Sequence, residues 1–304
     1  MTPPVLAYVV LASRTPEAAG DVLHGLLGLP RRATADPAVM LLGVGAAALA
    51  IVPLGHPLAE GTERPGVHHI ALACADPGQT ARAAGMATWP ERAGLAGASV
   101  LPLDPAQTAG VHTVLTGGPL PEPAAAPLIE RLDHLGIAAA DTAAGISAFC
   151  GGFGMALESQ QTDMEVMVPL ESFTSDKYGV VHHARAPVAT GGLRVAFVTV
   201  GDCELEFLAN FDPRQMGEVA HGSAGTTRQD QGAIARFVAS RGPGLHHLAF
   251  KTPEIDAVLA RLDRAGVRMI DRAGRPGSRR ARIGFVHPEA LGGVLIHFVE
   301  RTPA

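Results

Sequence analysis

The chain has 304 residues, 47% of them hydrophobic, which suits a globular protein of two domains or one long one and argues against disorder. Its net charge of −5, with Lys and Arg dispersed along the chain, lacks the clustered basic footprint of a nucleic-acid binder. Cys74, Cys150 and Cys203 are odd in number and far apart, so no disulfide framework is expected and a reducing cytoplasm fits.

The first apolar run, 5–12, is short, follows no basic segment and leads into Ser13-Arg14-Thr15-Pro16, so it reads as a strand rather than a leader or a membrane span. This opening strand, VLAYVVLASR (5–14), recurs as VHHIALACAD (67–76), LDHLGIAAAD (132–141) and LHHLAFKTPE (245–254). The alignment places His69, His134 and His247 at one position and Ala7 at that position in the first copy. Gly117-Gly118-Pro119-Leu120-Pro121-Glu122-Pro123 and the three alanines after it read as a linker. The expected division is 1–118, a linker at 119–130, and 131–304, each half holding two copies of the repeat.

In the third unit Asp141 is the expected helix N-cap and Gly151-Gly152 the stop, and residues 159–192 read as an insertion. Within it, SFTSDKYGVVHH (172–183) offers Lys177, Tyr178, His182 and His183 as substrate-contacting or proton-transferring groups, with a solvated loop as the competing reading. In VGDCELEFLA (200–209), Glu204 and Glu206 share one strand face and Cys203, Leu205 and Phe207 the other. Asn210, Phe211 and Arg214 follow and could rim a site mouth.

The fourth unit shows the repeat's grammar best. LHHLAFK alternates as a strand; Thr252-Pro253-Glu254 supplies an N-cap, an N1 proline and an early acid; Ile255, Val258, Leu259 and Leu262 form one helical stripe ended by Gly266. Strands are expected at 267–270, 282–287 and 293–300, giving β-α-β-β-β. Strict alternation puts His247 on the face of Leu245 and Ala249, and His246 on the opposite face, so one histidine of the pair should face a site. Arg275, Arg279, Arg280 and Arg282 flank a Pro-Gly turn and could receive an anionic group, although a solvated hairpin tip is the simpler expectation. His297 interrupts an apolar last strand, which calls for a polar partner.

These residues resemble the vicinal oxygen chelate superfamily, which includes glyoxalases, bleomycin resistance proteins and extradiol dioxygenases. The segments LDHLGIAAAD, GLHHLAFKTPEIDAVLARLDRAGVRMID and RIGFVHPEALGGVLIHFVE resemble methylmalonyl-CoA epimerase over about residues 131–301, and GAIARFVASRGPGLHHLAFKT (232–252) is similar to 4-hydroxyphenylpyruvate dioxygenase. The resemblance implies an α+β fold of four β-α-β-β-β units paired into two cup-shaped domains, the second holding one divalent metal. Carried over, the family's metal ligands fall on His134, Glu206 and His247. The fourth, normally a glutamate, falls on His297. The first half, with Ala7 and Ala50 at matching positions and Val114 facing His297 in the alignment, is expected to bind no metal.

Imidazoles with one carboxylate suit a divalent transition metal, with zinc or iron first and manganese, cobalt or nickel behind. A metal-dependent epimerase, isomerase or lyase acting through an enolate-like intermediate on an acyl-CoA or keto acid is the leading expectation, with Glu206, His297, His182 or His183 as proton-transfer groups. An Fe(II)-dependent dioxygenase and a small-molecule binding or resistance protein without turnover are the competing readings. The expected partner is a small-molecule substrate, with no membrane or nucleic acid, in a monomer or homodimer.

Overall fold

The computed structural model describes residues 2–211 and 232–301. In the first half, β1 (Val5–Ser13) leads into α1 (Pro16–Gly20), whose winding loosens over Asp21–Leu26, then β2 (Arg31–Arg32), β3 (Met40–Val44) and β4 (Ala47–Pro53). The second unit follows as β5 (Gly66–Ala73), α2 (Pro77–Ala83), β6 (Arg92–Ala93), β7 (Ser99–Pro102) and β8 (Thr113–Thr116). The third begins with β9 (Arg131–Ala138) and α3 (Thr142–Ile146), then β10 (Leu157–Met167), β11 (Leu170–Ser175), β12 (Gly179–Ala184), β13 (Val188–Val200) and β14 (Cys203–Asn210). After α4 (Ala233–Arg241) the last unit comprises β15 (Gly244–Lys251), α5 (Ile255–Arg264), β16 (Arg275–Pro276), β17 (Ala281–Val286) and β18 (Ile296–Arg301).

The two eight-stranded sheets share one topology. Their orders are β2-β3-β4-β1-β5-β8-β7-β6 and β10-β13-β14-β9-β15-β18-β17-β16. In each, the two opening strands pair antiparallel at the centre and each is flanked by the last strand of its own unit in parallel. The fold is therefore the expected α+β pair of curled sheets. One continuous apolar core joins the helix-covered faces of both halves, including Leu23 and Leu27 beside α1 and Leu259 and Leu262 of α5. Ile255, Val258, Leu259 and Leu262 are all fully buried, each contributing about 1.5–3 kcal/mol by leaving water. The segment 119–130 is tied down rather than loose: Gly45 and Ala124 exchange backbone hydrogen bonds of 3.0 and 2.8 Å, and Ile129 is buried.

Several local expectations change. Residues 159–167 belong to the edge strand β10, which pairs along its length with β13, so the true excursion is the β11–β12 hairpin between them. The strand expected at 267–270 shrinks to a single bridge, Met269 to Val286, and the edge position is taken by Arg275–Pro276. Helix α5 starts at Ile255, two residues past the expected start. Its first N–H donates to the Glu300 carboxylate at 2.7 Å instead of to a local cap, and Thr252 Oγ1 accepts from the Glu254 N–H. Asp141 caps α3 as expected, but the left-handed stop is Gly154 at φ +70°, past the Gly151-Gly152 pair.

Candidate metal centre

The concave faces of the two sheets differ in kind. In the first half that face is apolar, packed with Val10, Ala48, Ala50, Val52, Leu58 and Val114. In the second, β14, β9, β15 and β18 lie side by side and each turns one polar side chain inward: Glu206, His134, His247 and His297, all 3–6% exposed. Parallel and antiparallel registers bring them level. Glu206 pairs with Gly136, His247 pairs with Gly136 from the other side, and Ala249 pairs with both His134 and His297.

The registers also revise the comparison between halves. His134 pairs with Glu204 as Tyr8 pairs with Ala48, and Gly136 pairs with Glu206 as Val10 pairs with Ala50. Tyr8, not Ala7, is therefore the counterpart of His134. Ala50 and Val114 do match Glu206 and His297, so the first half presents Tyr8, Ala50, His69 and Val114 at these four stations.

Strict alternation fails at the paired histidines because both strands bulge there. On β15, Leu245 pairs with Ile137 and His247 with Gly136, leaving His246 as the extra residue; His68 is the extra residue on β5 in the same way. The bulge sends Leu245 into the helix-side core while His247 faces inward, and His246 lines the same cavity as His247. A second bulge on β9 leaves Asp133 unpaired before His134. Each bulged residue then hydrogen-bonds Nδ1 of the histidine that follows. Asp133 Oδ2 is 2.9 Å from His134 Nδ1, and His246 and His247 share an Nδ1–Nδ1 bond of 2.9 Å. Both inward rings are thereby oriented with Nε2 toward the centre.

At that centre Glu206 Oε2 lies 3.3 Å from His134 Nε2 and 3.5 Å from His247 Nε2. Ring nitrogens of His134, His247 and His297 approach within 4.8 Å of one another. His134 Nε2, His247 Nε2 and His297 Nδ1 are buried without hydrogen-bond geometry to any partner. Buried imidazole nitrogens are ordinarily satisfied, so three unpartnered ring nitrogens converging beside a carboxylate fit a shared metal ion. Gly136 is part of this geometry, because a Cβ there would stand 2.0 Å from His247 Cε1.

The charges agree. Burial lowers the pKa of both His297 and His247, His297 well below the ordinary range, so both rings are neutral. Glu206 is opposed by burial, yet the His134 ring holds it well below the usual carboxylate range and ionised. Burial also opposes a charge on His134, but Glu206 and Asp133 outweigh it and raise its pKa to about 9. Asp133 is kept ionised, against burial, by His134 and Arg301, whose Nε donates to Oδ1 at 3.1 Å.

These side chains floor a cavity of about 400 Å³. Its walls are largely apolar, with Phe197, Leu208, Ile234 of α4, Ile283 and Phe285 among them. Of the anticipated substrate groups, Arg275 lines it, paired with Asp271 at 3.1 Å. Arg279 also reaches the wall, lying 3.5 Å over the Phe197 ring and held by Glu158 and Glu204. Arg282 pairs outside with Asp256, and Arg280 is not among the lining residues. Lys177, Tyr178, His182 and His183 do not reach the site. They sit exposed on the β11–β12 hairpin, which forms a two-stranded sheet of its own. Asn210 Nδ2 donates to the Gly192 carbonyl at 3.3 Å, Phe211 packs against Gly192, and neither lines the cavity. Arg214 lies outside the described residues.

Sequence reasoning missed Asp163, which faces the cavity from β10 and whose carboxyl burial pushes above its ordinary pKa. It was hidden by assigning 159–167 to an insertion. Asp133 and Gly136 were also passed over, although a charge and a glycine inside the apolar strand LDHLGIAAAD were the available signals.

The model of the glyoxalase/bleomycin resistance protein/dioxygenase superfamily matches residues 133–285. The chain belongs to this superfamily. Among relatives within reach of the superfamily's sequence signal, the uncharacterized protein YqjC of Bacillus subtilis strain 168 is 26% identical over 172 residues, 57% of this chain and 93% of that protein. A mutant of 4-hydroxymandelate synthase from Streptomyces coelicolor superposes with a TM-score of 0.61 at 19% identity, covering 100% of this chain and 94% of that one. That match extends the shared fold over both halves. Methylmalonyl-CoA epimerase from Mycobacterium tuberculosis is 29% identical with a TM-score of 0.40, covering 58% of this chain and 91% of that one. No helix among the described residues is long and apolar enough to cross a membrane.

Proposed function

We propose that the protein is a metal-dependent enzyme of the epimerase, isomerase or lyase type, acting on a small keto acid through proton transfer next to a carbonyl. The observation that carries this reading is the convergence of three orphaned imidazole nitrogens and the ionised Glu206 at the floor of an apolar cavity. His134, Glu206, His247 and His297 would hold the ion. A divalent transition metal, zinc or iron before manganese, cobalt or nickel, supplies Lewis acidity toward paired substrate oxygens.

The chain's own residues divide the remaining work. Glu206, held ionised beside His134, is a weak base and serves as the anionic ligand. Asp163 is the better proton acceptor, because burial raises its affinity for a proton and it faces the same cavity. Phe197, Ile283 and Phe285 exclude water and suit the apolar body of a substrate. The arginines on the wall are already paired, Arg275 with Asp271, Arg279 with Glu204 and Arg301 with Asp133, which favours a compact keto acid over a polyanionic acyl-CoA tail inside this cavity.

The test is α-proton exchange in deuterated water by metal-loaded protein, offered keto acids with branched or aromatic side chains. Asp163→Asn should abolish exchange while metal content stays at the wild-type level; exchange that survives in this variant removes Asp163 from the role, and none with the wild type removes the reaction class. A second reading, an Fe(II)-dependent dioxygenase, is favoured by the fold match over both halves with 4-hydroxymandelate synthase. Anaerobic loading with Fe(II) followed by oxygen uptake with the same keto acids distinguishes it.

A further inference from the structure

The first half lacks the inward ligands, yet its bulge creates a different constellation at the rim. We infer that Glu60, His68 and His112 form a second site for a divalent transition metal, separate from the one floored by His134 and independent of what that centre catalyses. Ligand atoms of these three side chains lie within 4.8 Å of one another. Two imidazoles and one carboxylate are a donor set suited to such ions.

The bulge on β5 turns His68 out of the strand's alternation, and its Nδ1 is engaged with His69 Nδ1 at 2.8 Å, leaving Nε2 for a metal. The His112 ring stands at 5.5 Å from the His68 ring, centroid to centroid. Its backbone is fixed: the Ile70 N–H donates to the His112 carbonyl at 3.0 Å, Val111 is fully buried, and Gly110 packs so tightly on Pro243 of the other half that a Cβ there would lie 2.4 Å from the Pro243 oxygen. Glu60 is steered by Arg92, whose Nη2 donates to Oε1 at 2.8 Å, which leaves the second carboxylate oxygen for a ligand bond.

The other half supplies a contrast. His246, the bulged counterpart of His68, likewise bonds the histidine that follows it, but its ring meets the edge of Phe237 at 4.9 Å and it belongs to no three-ligand cluster among the described residues. His68 and His112 also line a cavity of about 540 Å³ between the halves, together with Arg14, Arg64 and Arg241, so a metal there would keep coordination positions open toward a space suited to anions.

The experiment titrates chelator-stripped, full-length protein with Zn(II), then with Co(II) followed by visible absorption. Wild type should take up two equivalents, and His112→Ala and Glu60→Gln one each. His134→Ala/His247→Ala, which removes the inward centre, should retain one equivalent, lost when His112→Ala is added. The inference is overturned if His112→Ala still binds as many ions as wild type, or if wild type binds a single ion that His134→Ala/His247→Ala abolishes. Because His112 directly precedes β8, circular dichroism of His112→Asn controls for folding, and a folded His112→Asn that keeps both ions also overturns it.

Discussion

Gly136→Ala tests the proposed metal centre without touching a ligand. The added Cβ would lie 2.0 Å from His247 Cε1 and 2.4 Å from both ring nitrogens. Ordinary contact begins near 3.4 Å, so the ring must retreat by roughly 1.4 Å or rotate out of the centre. Ligand distances in metal sites tolerate about 0.2 Å, so a displacement of that size removes His247 from coordination. Perturbing a ligand's support costs about 10–100-fold in affinity, and losing its placement should reach at least the upper end, about 2.7 kcal/mol. The overpacking should cost about 1–3 kcal/mol of stability, a separate readout. Isothermal titration of Zn(II) into stripped protein, beside thermal melts, measures both. Gly151→Ala, where a Cβ meets nothing within 4 Å, is the control. Zn(II) affinity within threefold of wild type in Gly136→Ala would refute the assignment of His247 to the centre.

Metal and proton should compete for His134. Its pKa is raised to about 9, so the metal-free ring is protonated at pH 7, and binding should release about one proton and strengthen about tenfold per pH unit until near pH 9. Titrations in buffers of different ionisation enthalpy count that proton, and none released at pH 7 contradicts the reading. In the metal-free protein the same upward shift stabilises the fold fully below about pH 6.5, the unfolded value, and that contribution fades as pH rises through about 9. His297→Ala should lower metal occupancy and His297→Glu restore it, by elemental analysis; full occupancy with lost turnover in His297→Ala would make the ring a base instead of a ligand. Arg301→Ala frees Asp133 and should weaken Zn(II) binding about 10–100-fold through loss of His134 orientation, whereas unchanged affinity would show that Asp133 orients the ring unaided.

The repeat, the curled sheets and all four inward side chains were legible because alternation of period two writes itself into sequence. Glu206 stands out against Leu205 and Phe207, and His297 against Ile296 and Phe298. What alternation cannot show is where it breaks. The bulge at His246 puts Leu245 in the core, and only the strand registers show Tyr8 at the station of His134. Long-range contacts were equally silent: Asp163 reaches the cavity only because β10 pairs with β13, and the α5 start is held by Glu300 across 45 residues. The polar hairpin looked functional by composition, but that its strands pair with each other apart from the eight-stranded sheet, off the cavity lining, is a tertiary fact.

The bulge on β15 lets that strand turn one more side chain to the cavity than its pairing needs. Deleting His246 would let β15 pair with β9 without interruption there, and because Leu245 against Ile137 and His247 against Gly136 are already consecutive stations, every other residue would keep its face. Leu245 would stay in the core and all four inward ligands would remain, but the ring that bonds His247 Nδ1 would be gone. Such a deletion removes the orienting bond together with the bulge, whereas a substitution at 246 removes the bond and leaves the bulge, so the two variants compared separate the contributions.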